Sequence, residues 1–448
     1  MIKKSLNRIK FNPVVKFPQE VCKVKKKFLV VLFLGVLLLG GVVISTPVKA
    51  GGNNRKDILP VVRKLAIREL HKFPEFSGAI PTNPVPLYFP DGELAAYEFK
   101  VVRRGQTIGY IIVSANKKLP PTILEAGMGP ETPSEIMKKL AKKKGLHNYK
   151  VVYFAGLEYG LLSKDKVIDS RGMEHRKPNY YQFIAGASPD SINKWATIES
   201  TSYSSSYTST STITSEKILY DVPAWTSTDE GGASEPLPPG ANSINPNLMS
   251  VYSSTSNPYD YIGPNPDPWK EYDGCAPIAA SMVVAYYDTQ YRNDWYREAI
   301  IDILHETMKT DYEGWTDPSN IGPGIEDFYD RAMYLYHEGV IGIAPTYSYT
   351  TSTITDPDNS LIFTYVWLEI STDTPLLLTA SAANGSDFKW AGVLHTVTVT
   401  GYRTYSDGEK YLLIHTTYGS PYPLKAWILL DSIGEVRSLT LINPVKMG

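Results

Sequence analysis

Apolar residues recur at helical spacing between Asp273 and Asp288, where Gly274, Cys275 and Pro277 lead into Ile278, Ala279, Met282, Val283 and Tyr286. The pattern predicts a buried helix with Cys275 at its N-terminus. Glycine permits the sharp entry turn, and proline suits a first turn whose N–H groups have no helical partner anyway. Upstream, Ile58, Val61, Val62, Leu65, Ala66 and Leu70 fall on one face of a helix over 56–72. Alternation takes over from Leu94 to Val113, with a turn at Arg103–Gln106 that predicts a hairpin. A helix over Ser134–Lys144 and strands at Tyr149–Phe154 and Tyr181–Ala185 follow, and Glu216–Trp225 opens with a short strand. Beyond the cysteine the spacing predicts helices at Trp295–Met308, Ile325–Tyr336 and Ser360–Glu369. Strands come next, at Pro375–Ala380, Val393–Tyr402, Lys410–His415, Lys425–Leu430 and Ser438–Ile442, with a hairpin turn at Ser406–Gly408. Helices ahead of an antiparallel sheet mark an α+β domain. A second, small α+β domain precedes it.

Two stretches break the patterning. Lys23, Lys25, Lys26 and Lys27 precede an uncharged apolar run from Phe28 to Ile44 and a short tail ending at Ala50. That is the layout of a signal peptide cleaved after Ala50, or of a retained signal anchor, so the rest of the chain is expected to be secreted or at the cell surface. From Thr197 to Ser215 the chain reads TIESTSYSSSYTSTSTITS, too poor in aliphatic residues to fold alone. The expected organisation is a leader over 1–50, a small domain over 51–196, a Ser/Thr-rich linker over 197–216 and a second domain over 217–448.

Charge sharpens that division. The net charge is −1, yet residues 51–200 carry 23 basic and 15 acidic side chains while 201–448 carry 12 and 30. Opposite signs suit two domains that dock on one another, and the acidic half argues against nucleic acid as a partner. Lys138, Lys139 and Lys142–Lys144 are expected on a solvated helix face. Of the two cysteines, Cys22 lies in the leader, so the exported chain keeps one thiol and no internal disulfide. In an oxidising compartment a single thiol is either buried as a small hydrophobe or used. A helix N-terminus favours the second role, because its amides and dipole stabilise the nucleophilic thiolate. Such a nucleophile needs a base. His395 opens an alternating strand from which an imidazole can reach the head of the cysteine helix, and His415 is the second choice. His305 and His337 sit on helices among polar neighbours and are expected at the surface.

The segments GCAPIAASMVVAYY, PLLLTA, LHTVTVTGY and YLLIHTTYG together resemble papain-like cysteine peptidases of the bacteriocin-processing (double-glycine peptidase-like) and streptopain-like type, over residues 217–448. Gly109–Gly127, GYIIVSANKKLPPTILEAG, resembles a phrase of streptopain-like pro-regions. The resemblance implies a papain-like catalytic domain with Cys275 as nucleophile and His395 as general base. It makes the basic domain an inhibitory pro-region, with activating cleavage in the linker. Three positions depart from the family pattern. Leu394 stands where glycine precedes the histidine. Thr416 and Thr417, with their hydroxyls, stand where Asn or Asp orients it. No Gln lies between Glu216 and Cys275, which leaves Asn242, Asn245, Asn247, Asn257 or Asn265 as oxyanion donors.

The implied activity is hydrolysis of peptide or protein substrates by an exported zymogen. A catalytically impaired surface or binding protein of the same fold, and a cysteine-dependent amidase or acyltransferase, remain open. No cofactor is expected. The turns Asp267–Asp273, Asp317–Asn320 and Asp356–Asn359 suit calcium in chemistry but not in spacing. Zinc is disfavoured because the exported part lacks clustered Cys and His. Asn384 heads a glycosylation acceptor pattern.

Overall fold

Helix α1 (Leu59–Glu69) buries Val62, Leu65 and Ala66, the face that the spacing marked out, and its last expected turn tightens into a 3-10 turn at Leu70–Lys72. The computed structural model describes residues 58–169, 174–178, 193–198, 211–226, 261–263, 269, 273–311, 314–381, 394–417 and 424–447. The leader, the expected strand at Tyr181–Ala185, Asn384 and the five candidate oxyanion asparagines lie outside the described residues. No helix among the described residues is long and apolar enough to cross a membrane; the run 28–44 lies outside them.

Four strands follow α1: β1 (Ile80–Tyr88), β2 (Leu94–Arg103), β3 (Gln106–Ser114) and β4 (Ile123–Met128), each antiparallel to its predecessor. β1 escapes sequence patterning because three prolines interrupt it. It remains a strand by shifting register between Thr82 and Val85, with Asn83 at a φ of 50°. Helix α2 (Pro133–Lys143) starts at a capping box of Thr132 and Glu135 and keeps its lysines exposed. Strands β5 (Lys150–Ala155), β6 (Glu158–Ser163), β7 (Lys166–Asp169) and β8 (Glu174–Arg176) complete this half.

The second half begins at β9 (Ile213–Ile218), so paired structure starts inside the stretch expected as linker. It continues through α3 (Cys275–Tyr287), α4 (Asp294–Thr307), α5 (Pro318–His337), β10 (Tyr347–Thr355), α6 (Asn359–Ser371), β11 (Leu376–Ser381), β12 (Leu394–Tyr405), β13 (Lys410–His415), β14 (Lys425–Leu429) and β15 (Glu435–Lys446). α5 starts well before the expected Ile325. Asp317 caps it and Pro318 fills its first turn, while Gly322, Pro323 and Gly324 hide the apolar period.

The fold is mixed α+β. The strands form one sheet in the order β10-β15-β11-β12-β13-β14-β4-β3-β2-β1-β5-β6-β7-β8, with β9 on β12. The seam between the halves is β14 against β4, where Trp427 faces Ala126 and Ile428 faces Glu125. Side chains reinforce it. Lys72 Nζ reaches Asp407 at 2.7 Å and Glu409 at 2.6 Å, Tyr411 OH donates to Ile123 O at 2.7 Å, and Ser432 Oγ donates to Leu124 O at 3.0 Å. The charge pairing is mixed in sense, because Arg403 of the acidic half binds Glu75 of the basic half. Two apolar cores result, one under the helices α3 to α6 and one under α1 and the first strands.

Candidate active site

Cys275 is the first residue of α3, and residues 276–285 of that helix are buried. The sharp entry is real: Gly274 has a φ of 99°, and a Cβ there would lie 2.6 Å from the carbonyl oxygen of Gly314. The helix is tied to β12 by Thr398 Oγ1, which donates to Ala279 O at 2.8 Å, and to the upstream chain by Trp225 Nε1, which donates to Ser281 Oγ at 2.9 Å. These bonds place the half-exposed sulfur against β12, where the Thr396 N–H donates to Sγ at 3.3 Å. An amide donor and the positive end of a helix at one sulfur favour its anionic form.

The residue before that amide is His395, which pairs with Ala380 of β11 and is 8 % exposed. Its Nε2 lies 2.9 Å from the main-chain oxygen of Thr416, an acceptor with no proton to give. That hydrogen bond assigns the proton to Nε2 and leaves Nδ1 as the basic nitrogen of the neutral ring. The sequence offered the hydroxyls of Thr416 and Thr417 for the group beside this ring; the acceptor at Nε2 is the Thr416 carbonyl. The physical cause is that β13 ends at His415 and the next peptide turns its oxygen towards β12. Thr417 stands at a φ of 59°, its carbonyl accepts from Thr226 Oγ1 at 3.1 Å, and its buried Oγ1 has no hydrogen-bond partner among the described residues.

The other histidines separate cleanly. His415 directs Nδ1 to Pro223 O at 2.8 Å and so holds the chain upstream of the cysteine. His337 is exposed, as expected. His305 is fully buried, contrary to expectation, because its face of α4 is covered by Trp269 and Asp273. Polar neighbours along a helix reveal which residues are hydrophilic, not which face another segment will cover.

Burial pushes His305 down to about 4, against the opposing pull of Asp273, and pushes His415 down to about 3, with the Lys425 cation beside it. Both rings are therefore neutral in the fold and protonate more readily when unfolded. Relative to neutral pH, stability should fall as pH drops below about 6.5, with a limiting slope of about 1.4 kcal/mol per pH unit for each histidine. Denaturation midpoints measured from pH 7 to pH 4 check this; a flat profile contradicts it.

Two of the three candidate calcium turns use a carboxylate as a cap: Asp317 Oδ1 accepts from Ser319 N, and Asp358 Oδ1 from Leu361 N; the third, Asp267–Asp273, lies mostly outside the described residues. Glu69, Asp407 and Glu409 could together ligate a cation, but Lys72 Nζ sits among them within 2.7 Å of each. A narrow cavity of about 20 Å³ lies beside His395. Ala380, Val397 and Ile433 line it from the second half, and Gly156, Leu157 and Glu158 from the turn between β5 and β6. Nothing in the sequence pointed to that turn, since Leu157 is an ordinary apolar residue in a hairpin.

No protein-family model matches this chain, and no curated protein matches it. Among solved structures, a fragment of prointerpain A from Prevotella intermedia is similar at a TM-score of 0.36 and 9% identity, covering 82% of this chain and 99% of that one.

Proposed function

We propose that this chain is an exported, papain-like cysteine peptidase made as a zymogen, with Cys275 as nucleophile and His395 as base. One observation carries the reading: the amide next to His395 donates to the Cys275 sulfur while the His395 ring is oriented by the Thr416 carbonyl. In the proposed reaction the Cys275 thiolate attacks the carbonyl carbon of a peptide bond. The oxyanion is met by the Cys275 amide, at the positive end of the helix. The protonated Nδ1 of His395 passes its proton to the leaving amine as the C–N bond breaks, giving a thioester. Water, deprotonated by the same nitrogen, attacks that thioester, and the acid product leaves with the thiolate restored.

The zymogen part rests on the β5–β6 turn. Leu157, at a φ of 65°, is buried in the core of the second half rather than its own, beside the His395 cavity. It is held there by its amide, which donates to Glu125 Oε2 at 2.9 Å, and by Gly156 N, which donates to Ser432 O at 2.9 Å. In this reading the turn covers the histidine side of the cleft until the first half is removed.

The experiment is labelling by a thiol-directed peptide electrophile under reducing conditions. Processed protein should label and Cys275→Ala should not; absence of Cys275-dependent labelling overturns the peptidase reading. Leu157→Asp puts a carboxylate into an apolar contact, which burial strongly penalises. The unprocessed variant should then label nearly as fast as processed wild type, and unchanged slow labelling argues against the turn as the block. A fold without turnover is the second reading, favoured by one observation: Trp269 Nε1, upstream of the cysteine, is spent on Asp273 rather than offered to an oxyanion.

A further inference from the structure

The chain that delivers Cys275 is gripped by one face of α4. Asp302, His305 and Glu306 are spaced at i, i+3 and i+4 and so lie together. Asp302 Oδ2 accepts the Gly263 amide at 2.7 Å, Glu306 accepts from Tyr261 OH, and His305 Nδ1–H donates to the carbonyl of Asp273 at 2.8 Å. The imidazole also stacks on Trp269, with centroids 3.8 Å apart and planes 9° from parallel. Trp269 in turn donates Nε1–H to Asp273 Oδ1 at 2.6 Å. Asp273 is thus held at both its carbonyl and its carboxylate, immediately before the Gly274 turn and two residues before the sulfur.

The imidazole does more than fill space. Its Nε2 is buried with no hydrogen-bond partner among the described residues, so the ring's recorded hydrogen bond goes to the peptide that enters the cysteine turn. A hydrocarbon ring would fill the same volume without burying that nitrogen. Gly274, meanwhile, packs closely, because a Cβ there would lie 2.6 Å from Gly314 O and 3.0 Å from Thr310 Cγ2, and the Thr310 amide donates back to His305 O at 3.0 Å.

We propose that His305 is a positioning residue for Cys275: its Nδ1–H fixes the Asp273 carbonyl, and through the Gly274 turn this sets the direction of the sulfur and of the Cys275 amide. The role rests on the reading of Cys275 as nucleophile, and the experiment separates the two. The readouts are the rate of Cys275 alkylation by iodoacetamide across pH in the full chain, and kcat and KM of the processed protein on a peptide. His305→Phe keeps the ring and its stacking and removes the donor. It should slow alkylation and lower kcat by about tenfold or more with KM nearly unchanged, while His305→Asn, whose amide can replace Nδ1–H, stays within about threefold of wild type. Trp269→Phe, which removes the donor to the Asp273 carboxylate together with part of the ring stacked on His305, should slow alkylation in the same sense and carries the test if His305→Phe does not fold. Wild-type alkylation in folded His305→Phe, or in Trp269→Phe where that variant decides, overturns the proposal. If wild-type protein alkylates at Cys275 but cleaves no peptide, the peptidase reading falls and the comparison of alkylation rates still judges His305.

Discussion

Replacing His395 by alanine should lower kcat/KM for peptide hydrolysis by about a thousandfold or more, whereas Thr416→Ala should leave it within about threefold. The contrast follows from which atom orients the base. His395 Nε2 hydrogen bonds to the main-chain oxygen of Thr416, and truncating the side chain leaves that oxygen in place. The peptide is held independently of the hydroxyl, because Thr416 N donates to Leu424 O at 3.0 Å. In the proposed reaction, by contrast, removing the imidazole removes the proton acceptor for water and the proton donor for the leaving amine together. Steady-state kinetics on processed protein decide the matter. A loss in Thr416→Ala as deep as that in His395→Ala would return the orienting role to the hydroxyl, and near-normal turnover in His395→Ala would remove His395 from the reaction.

Much of this arrangement was legible because it is local. A Gly-Cys pair before a helical period, and a histidine at the head of an alternating strand, can be read without knowing what packs on what. The Cys275 helix starts where the spacing placed it, and the strands from β11 to β15 fall within a few residues of expectation. What escaped is what depends on non-local contact. β1 is broken by prolines and survives through its neighbours, and β10 is a Ser/Thr-rich edge strand without a clear alternation. The β14–β4 seam joins segments some three hundred residues apart, and no periodicity within either predicts the other. The site shows the same split. Side-chain identity suggested the hydroxyl of Thr416 or Thr417 beside the histidine, but a backbone carbonyl accepts at Nε2, and any residue type supplies one. His305 looked like a surface residue because its covering segment is remote in sequence and itself short of pattern.

Arg403→Met is expected to destabilise the protein by roughly 3–5 kcal/mol, the loss typical of breaking a buried ion pair from one side. Arg403 is 2 % exposed and serves three partners: Glu75 at 2.8 Å, Glu216 through Nε, and the face of Trp427, whose ring centroid lies 4.1 Å away. Trp427 Nε1 also donates to Glu75 at 2.9 Å, so methionine would leave a partly buried carboxylate with an indole N–H but no cation. Burial pushes the Glu75 carboxyl up, but the Arg403 guanidinium overrides it and holds the group below its ordinary 4.5. A carboxyl depressed in the fold contributes stability above its unfolded value and loses it as pH falls through the folded one. The deficit of Arg403→Met should therefore be full at neutral pH and shrink as the medium is acidified below about 4.5. Glu75→Gln in the same background should recover part of the loss, because no charge is then stranded at that position. Chemical denaturation of the four proteins of the cycle checks both statements. A loss below about 1 kcal/mol, the range of exposed pairs, would mean that solvent reaches the pair and that the seam is held by β14–β4 pairing and apolar contact instead.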